Sequence, residues 1–406
     1  MTTEVVLQVR RKFPALERAG RFIFFDNAAG AQIPSAVISA VTDHLLARNV
    51  QRGAPYRHSR EVDAMIARAR ARVAAFVNAR GADEIAFGLN ATSFIRAISL
   101  AVGQTLQQRP EIVVSELDHE ANVATWLTLE RFGARIVWWR VRDADRRLHA
   151  ADLDPLLSER TRLVACTVAS NATGTMVDVA EVGRRAHAAG ADVFLDAVHY
   201  APHGPIDVQA FGCDYLVCSG YKIFGPHMGF VWSRREAINR LPTFREDFIP
   251  DVTPDKLEAG TYAYEHVAGM EAAIEYLQDL GSGSIRAAMT MIAEYERSLS
   301  RAMLDALESV PAVTVHGVVD RHRIHERVPT LCFTVEGLAA STVADALAAR
   351  DVGVRSGHMY SPRLVARLGL MPAGVVRASL VHYNTLDEVE RFRAALIDVI
   401  DEARRS

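Results

Sequence analysis

The stretch CDYLVCSGYKIFGPHMGFVW, residues 213–232, decides the fold of this chain. An apolar run at 215–219 predicts a buried strand, and Lys222 follows it after only two residues. Gly225, Pro226 and Gly229 then predict an irregular loop. A lysine at the end of a buried strand, among aromatic and apolar neighbours, has a depressed pKa, which an imine-forming amine requires. A lone lysine of this kind is also typical of a phosphate binder or a surface residue, so its partners decide between these interpretations.

Similar apolar runs precede this stretch and alternate with helical patterns. They read EIAFGLN at 84–90, IVVS at 112–115, RIVWW at 135–139, LVACTV at 163–168 and DVFLD at 192–196. Short strands that are apolar throughout and alternate with helices predict a parallel sheet covered by helices on both faces. Ligands of such sheets bind beyond the carboxyl ends of the strands, so the residues directly after each run are the candidates for a site.

Chemically suited side chains stand at those positions. Asp196 ends one strand, and a buried carboxylate there needs a fixed cation such as a protonated ring nitrogen, although an N-cap is the alternative. Thr92 and Ser93 open the helix after EIAFGLN, where hydroxyls and free N–H groups suit either a phosphate or simple capping. His119 follows the IVVS strand and suits stacking on a flat ring, and Asn171 follows LVACTV and suits donation to a phenolic oxygen.

Beyond residue 281 the pattern changes to that of a smaller α+β domain. The sequence predicts a long helix from Ile285 to Val310, strands in AVTVHGVV and TLCFTVEGL, and a strand from Val375 to His382. A capping box, Thr385-x-x-Glu388, predicts the start of the last helix. The segment RHRIHER at 321–327 is interpreted as a solvated hairpin rather than a metal site.

Length and composition set the limits. The chain has 406 residues, which predicts two domains, and half of its residues are hydrophobic, as in an ordinary globular protein. A net charge of -3 argues against binding to nucleic acid or to an anionic membrane. We find no signal peptide or membrane span and expect a cytoplasmic protein. The four cysteines lack zinc-site spacing and lie in or beside apolar runs, so we expect reduced core thiols and no metal.

Taken in order, the motifs resemble the class V aminotransferase family of fold type I, within it the cysteine desulfurase and selenocysteine lyase group. The matching segments cover nearly the whole chain: FFDNAAGAQIP, LNATSF, LDHEANVATW, VASNATGT, FLDAVHYAPHGPIDVQAFGCDYLVCSGYKIFGP, LEAGT, VRSGHMYS and VVRASLVHYNT. The resemblance implies an α/β fold whose large domain carries a mostly parallel sheet (21–282) and whose small domain is α+β (283–406, with 1–20). It also implies a homodimer that binds pyridoxal 5′-phosphate (PLP) and acts on an amino acid.

The resemblance implies a role for each site residue. Lys222 matches the lysine that binds PLP as a Schiff base, Asp196 the partner of the pyridine nitrogen, and His119 the stacking histidine. Asn171 and His199 match the residues that flank the phenolic oxygen, although glutamine is common at the position of His199. The remaining matches are the phosphate ligands Thr92, Ser219 and Tyr221, the phosphate ligand Thr261 from the neighbouring subunit, and the substrate-carboxylate clamp Arg377, with Arg355 as the second candidate.

One departure from the family pattern bears on the reaction. Desulfurases of this group carry a cysteine in the small-domain loop, where it receives sulfur as a persulfide, and Tyr360 stands at that position here. Tyrosine cannot form a persulfide. We therefore expect β-elimination from a β-substituted amino acid, with Tyr360 and His358 as candidates to contact the leaving group. The alternatives are an aminotransferase, an epimerase, and a non-catalytic PLP-binding protein. A nicotinamide-dependent dehydrogenase is disfavoured because the early strands lack G-x-G-x-x-G.

Overall fold

A computed structural model describes residues 1–405 of the chain. Its strands are β1 Ile23–Phe24, β2 Ile85–Gly88, β3 Glu111–Ser115, β4 Arg135–Trp139, β5 Thr161–Thr167, β6 Asp192–Asp196, β7 Tyr215–Ser219, β8 Gly229–Ser233, β9 Val313–His316, β10 Thr330–Val335, β11 Val352–Gly353, β12 Arg355–Gly357 and β13 Val375–Ser379. Its α-helices are α1 Thr3–Arg10, α2 Pro14–Arg18, α3 Ser35–Ala47, α4 Arg57–Val77, α5 Ala91–Gly103, α6 Ala121–Leu127, α7 Val179–Ala188, α8 Val208–Phe211, α9 Arg235–Asn239, α10 Tyr264–Leu280, α11 Ile285–Glu308, α12 Ala340–Ala348, α13 Pro362–Arg367 and α14 Leu386–Arg405.

The larger sheet has the strand order β2-β8-β7-β6-β5-β3-β4. The strands from β7 to β4 in that order pair in parallel, whereas β8 is antiparallel to both of its neighbours. All strands except β8 therefore run in one direction, and the carboxyl ends of β2, β3, β5, β6 and β7 meet at one edge. This is the parallel α/β sheet that the apolar runs predict, with every residue of β3, β5, β6 and β7 buried.

Each face of this sheet has its own core. Alternate side chains of β3, Ile112 and Val114, pack with residues of α5 and α6, whereas Val113 packs with residues of α4, α7 and α10. Because side chains in a strand point alternately to opposite faces, a continuous apolar strand fills both layers at once. The rigid layers fix the strand ends, and hence the positions of the side chains that follow them.

A smaller antiparallel sheet, β12-β13-β10-β9, packs with α11, α12 and α14. The N-terminal segment joins the two parts of the molecule. Val9 and Phe13 belong to the core on the α4 side of the large sheet, while Arg10 donates to the carbonyl of Tyr383 at 2.7 Å. Strand β1 then pairs in parallel with β11.

The predicted capping box is confirmed, since the Thr385 amide donates to Glu388 at 3.0 Å and the Glu388 amide donates to the Thr385 hydroxyl at 3.1 Å. Three predicted boundaries are too long: α11 ends at Glu308, β9 ends at His316, and β13 ends at Ser379. The hairpin predicted at 321–327 is wrong. Residues Arg321–Glu326 form 3₁₀ turns with a kink at Arg323, and the Asp320 side chain caps the first turn by accepting from the His322 amide.

Within residues 1–405, the helices are too short or too polar to cross a bilayer. The same residues contain no cluster of three or more potential metal ligands among His, Cys, Asp and Glu.

Candidate active site

A cavity lies where the strands of the large sheet end, and its volume is about 490 Å³ including the part open to solvent. The structure brings eight of the predicted site residues to its wall: Thr92, His119, Asn171, Asp196, His199, Ser219, Tyr221 and Lys222. They come from the ends of five different strands, so only the parallel arrangement of those strands assembles them.

Lys222 closes the turn after β7. Residues Gly220–Lys222 form a single 3₁₀ turn, and the Lys222 side chain is buried against the cavity. Burial lowers the pKa of Lys222 to about 8, with a further decrease from Arg377 that Asp196 and Asp26 partly oppose. Roughly a tenth of this amine is therefore unprotonated at pH 7, far more than for a lysine with an ordinary pKa, and the unprotonated amine is the nucleophile.

Asp196 ends the neighbouring strand β6 and is 6% exposed. Its Oδ1 accepts from the amide of Val198 at 2.9 Å. Burial raises the pKa of Asp196, while that hydrogen bond and the charge of Lys222 lower it. Lys222 is one nearby cation, and a second cation in direct contact with the Asp196 carboxyl would stabilise its ionised form.

His199 follows Asp196 by three residues and has no hydrogen-bond partner on either ring nitrogen, although it is only 3% exposed. Its ring packs edge-on against that of His203, with centroids 5.2 Å apart, and His203 Nδ1 lies 2.8 Å from Glu296 Oε2. Burial lowers the pKa of His203 to about 3 and raises that of Glu296, so burial favours the neutral form of both groups. Two unsatisfied buried nitrogens on a cavity wall indicate a polar ligand in that cavity.

The N-terminus of α5 forms another part of the wall. The sequence left open whether Thr92 and Ser93 cap this helix, and the structure assigns the cap to Asn90, whose side chain accepts from the Ser93 amide at 2.9 Å. The Thr92 hydroxyl is thus not needed for capping. Together with Ser219 and Tyr221 it surrounds a helix N-terminus, where backbone N–H groups and the helix dipole favour an anion.

His119 stands across the cavity, and its Nδ1 accepts from the Ala121 amide at 3.1 Å. Burial lowers the pKa of His119 to about 4, and the charges of Lys222 and Arg377 add to this effect. The imidazole is therefore neutral above pH 5, which suits a ring that stacks on an aromatic ligand. Its ring also faces that of Tyr360, with centroids 5.7 Å apart.

The loop after β12 lies over this side of the cavity. The Tyr360 carbonyl accepts from the Glu120 amide at 2.7 Å, and the Met359 carbonyl accepts from the Asn171 side chain at 2.6 Å. Ser361 completes the contact by donating to Asn171 Oδ1 at 2.9 Å. Met359 and Tyr360 both have positive φ, near 53° and 56°, so these contacts hold a strained turn in place. Asn171 thus fixes the loop, in addition to lining the cavity.

Arg377 and Arg355 are direct cross-strand partners on β13 and β12. Arg377 is 2% exposed and donates to the Asn171 carbonyl at 2.8 Å, while its Nε is buried without a partner. Asp26 contacts both arginines, at 2.8 Å from Arg377 Nη2 and 2.7 Å from Arg355 Nη2. Although FFDNAAGAQIP was recognised as a motif, its aspartate was not identified as a site residue, because only the fold brings residue 26 beside 355 and 377.

Five of the predicted residues do not line the cavity: Arg377, Arg355 and Tyr360, which contact its lining residues or one another, and Thr261 and His358. Thr261 is exposed and accepts a hydrogen bond from Gln51 at 2.7 Å. His358 is exposed, and its Nδ1 accepts from the Tyr360 amide at 3.1 Å. Its contact with the loop backbone makes His358 part of the turn that carries Tyr360.

The cavity fits PLP by several independent observations. The buried amine of Lys222 suits its aldehyde, and the buried carboxyl of Asp196 suits its ring nitrogen. The unsatisfied nitrogens of His199 suit its phenolic oxygen, and the N-terminus of α5 suits its phosphate. The neutral ring of His119 completes the wall. The first four features match the aldehyde, the ring nitrogen, the phenolic oxygen and the phosphate of PLP, and the His119 ring matches its flat face.

Comparison with known proteins shows which proteins this chain resembles. The family model described as aminotransferase class-V matches residues 23–392. An aminotransferase-like protein of Gibberella zeae is 38% identical, with 96% of each chain covered. A cysteine desulfurase of Enterobacter sp. is 36% identical, covering 96% of this chain and 97% of its own. A crystal structure of an Escherichia coli cysteine desulfurase in its S-sulfonic acid form is 29% identical with a TM-score of 0.85, and 98% of each chain is covered.

Proposed function

The chain belongs to the class V aminotransferase family and is a PLP-dependent enzyme, and from this premise we propose that it catalyses β-elimination from a β-substituted amino acid. The substituent leaves directly, as a thiol or a related group, and no persulfide forms on the protein. The observation that carries the proposal is the chemistry of the small-domain loop, where Tyr360 stands over the cavity facing His119.

The state of the cysteines supports this reaction. All four, Cys166, Cys213, Cys218 and Cys332, are buried. Burial raises the pKa of Cys332, the only one in the small domain, to about 12. Burial likewise raises the pKa of the other three thiols. The thiolate is the form that accepts sulfur, so buried thiols with raised pKa values are poor acceptors.

Lys222 is the proposed general base and acid. PLP, when bound, supplies an electron sink for the electrons left as the α-proton departs. Lys222 takes that proton, and its pKa of about 8 allows it to exchange protons near neutral pH. The bond from the β-carbon to the leaving group then breaks, and the leaving group departs with the electron pair. After the enamine is released from the site, water converts it to an oxoacid and ammonia, so the reaction needs neither an oxidant nor a reductant.

The other residues bind and orient. Arg377 is the proposed ligand of the substrate α-carboxylate, because its buried Nε is an unused donor beside the cavity-lining Asn171. When PLP is bound, Asp196 would keep its ring nitrogen protonated, and His199 and Asn171 would contact its phenolic oxygen. Thr92, Ser219 and Tyr221 would hold its phosphate.

The loop of residues 358–361 has two proposed functions in this reaction. It excludes water from the cavity, and it places the Tyr360 phenol near the leaving group. His358 supports the turn through its hydrogen bond with the Tyr360 amide.

We also propose a homodimer in which Thr261 binds the phosphate held by the neighbouring subunit. Exposed apolar side chains support an interface: Leu46 is 81% exposed on α3, and Leu89, directly before the Asn90 cap at the cavity, is 74% exposed. Phe244 and Phe248 are more than 80% exposed as well. The same proposal includes the division of the chain into a large domain, residues 21–282, and a small domain, residues 283–406 with 1–20. It also includes the cytoplasmic location.

Product analysis tests the reaction. All four cysteines are replaced by Ser or Ala, and the loaded variant is incubated with cysteine, cystine and cysteine S-conjugates. We expect pyruvate and ammonia in equal amounts, at rates similar to those of the unaltered protein. Alanine as the main product, lost in the cysteine-free variant, would show that one of the buried thiols accepts sulfur.

The same incubations separate the alternatives. Exchange of the amino group with added oxoacids would identify an aminotransferase, and loss of α-deuterium without pyruvate would identify an epimerase. The aminotransferase alternative also has the aminotransferase-like protein of Gibberella zeae in its favour. A variant with Lys222→Ala is the control in each case, because any product it still forms does not require this lysine.

A further inference from the structure

Asp26 occupies the fork of Arg355. Asp26 Oδ2 lies 3.0 Å from Arg355 Nε and 2.7 Å from Arg355 Nη2, so one carboxylate oxygen contacts both donors on that edge of the guanidinium. A guanidinium with both of these donors on one carboxylate has its preferred binding edge filled. Arg355 is therefore not free to bind a carboxylate of the substrate while Asp26 is charged and in place.

Arg377 differs from Arg355 in this respect. Its Nη1 donates to the Asn171 carbonyl and its Nη2 to Asp26, but its Nε is buried without a partner. Because an unsatisfied buried donor is costly, this nitrogen is set for an acceptor that arrives with a ligand. Among the buried guanidinium nitrogens of the two arginines, Arg377 Nε is the one without a partner.

The charges of Asp26, Arg355 and Arg377 also favour a ligand with a single carboxylate. Arg355 and Arg377 face each other across adjacent strands, where like charges repel, and Asp26 lies between them. The three side chains together carry a net charge of +1, which matches one carboxylate. Asp26 also raises the pKa of Lys222, so its charge reaches the cavity itself.

Arg355 begins β12, which leads directly into the turn that carries Tyr360, the residue proposed to contact the leaving group. The hydrogen bond with Asp26 raises the pKa of Arg355. A second carboxylate on a substrate side chain would therefore approach an arginine that is already filled by Asp26, and would be repelled by that aspartate.

We propose that Asp26 determines substrate specificity by restricting the site to amino acids with a single carboxylate and an uncharged side chain. This inference rests on the proposed function only in taking Arg377 as the ligand of the α-carboxylate. It does not depend on which bond of the substrate is broken.

Binding of matched amino acids tests the inference independently of the reaction. Affinities of the PLP-loaded protein for L-asparagine, L-aspartate, L-glutamine and L-glutamate are measured by calorimetry. Within each pair the ligands have almost the same shape and differ by one charge. We expect each amide to bind roughly ten- to a hundred-fold more tightly than its acid, the range of one charge-assisted contact.

The variant Asp26→Asn keeps the size of the side chain but releases the charge of Arg355. We expect its preference for the amides to fall at least tenfold relative to the unaltered protein, and the double variant Asp26→Asn/Arg355→Leu to regain that preference. Asp345→Asn is the control, because it removes an exposed aspartate of α12, and it should leave the preference for the amides unchanged.

A second variant covers the case in which Asp26→Asn fails to fold. Arg355→Leu alone should keep or increase the preference for the amides, because no cation is released. Equal affinities within each pair in the unaltered protein, an unchanged preference in Asp26→Asn, or no binding of any of the four would overturn the proposal. Selective binding without pyruvate formation from any substrate would instead retain it and refute only the elimination.

Discussion

Replacing Asp196 by asparagine provides the sharpest test of the proposed cofactor site. Asparagine has nearly the same size, and its side-chain oxygen can still accept from the Val198 amide, which donates to Asp196 at 2.9 Å. The change therefore removes a buried charge with little effect on packing. In the loaded enzyme, that charge would form a charge-assisted hydrogen bond with the protonated ring nitrogen of PLP.

The magnitude follows from the type of hydrogen bond that remains. A charge-assisted hydrogen bond contributes about 1.5–3 kcal/mol, whereas a neutral one contributes about 0.5–1.5 kcal/mol. The difference of about 1–2 kcal/mol corresponds to roughly five- to thirty-fold weaker binding of PLP. Turnover should fall further than affinity, because a ring nitrogen without its proton is a weaker electron sink.

The assay titrates the apoenzyme with PLP, following absorbance or intrinsic fluorescence, and then measures turnover at saturating PLP. Asp192→Asn is the matched control. Asp192 is also buried, its Oδ2 accepts from Arg162 at 2.6 Å, and it begins β6, at the opposite end of the strand from Asp196 and outside the cavity wall. We expect this control to bind PLP within about twofold of the unaltered protein. If Asp196→Asn binds PLP with unchanged affinity and turns over normally, the ring nitrogen does not contact Asp196 and the assigned orientation of PLP is wrong.

Three further predictions follow from the same site. Borohydride reduction of the loaded enzyme should place the pyridoxyl adduct on the peptide containing Lys222, and Lys222→Ala should have no adduct; a stable adduct on another lysine would reject the assignment. The rate of PLP capture by the apoenzyme should rise with pH and level off above about pH 8, because only the unprotonated amine reacts and burial lowers the pKa of Lys222 to about 8; removing the nearby charge in Arg377→Ala should move this profile to higher pH, and a profile that still rises at pH 10 in the unaltered protein would contradict the buried position. Light scattering should show a dimer at micromolar concentration, and Thr261→Ala should weaken PLP binding by about 0.5–1.5 kcal/mol without dissociating it, the contribution of one hydrogen bond; a monomer that binds PLP tightly would refute the shared site.

Local sequence was sufficient for the large sheet and for the residues at its strand ends. Apolar runs such as LVACTV and DVFLD have one physical solution, a strand buried on both faces, and parallel strands bring their carboxyl ends to one edge. Lys222, Asp196 and His119 could thus be placed near one another before the structure was known. The ends of helices and strands, and the conformation of short polar segments such as residues 321–327, were predicted less well from the sequence. The reason is that they depend on tertiary contacts.

The sequence alone thus determined the fold class, the cofactor chemistry and most of the cavity wall, because these depend on strand burial and on the residue that follows each strand. The tertiary structure alone decided the contacts between distant segments. Asp26 meets Arg355 and Arg377 across more than 300 residues, and Asn171 holds the Met359–Ser361 turn across nearly 190. No repeating pattern in the sequence indicates either contact, because each contact depends on how the small sheet packs beside the large one. The side chains that would select the substrate lie at this junction.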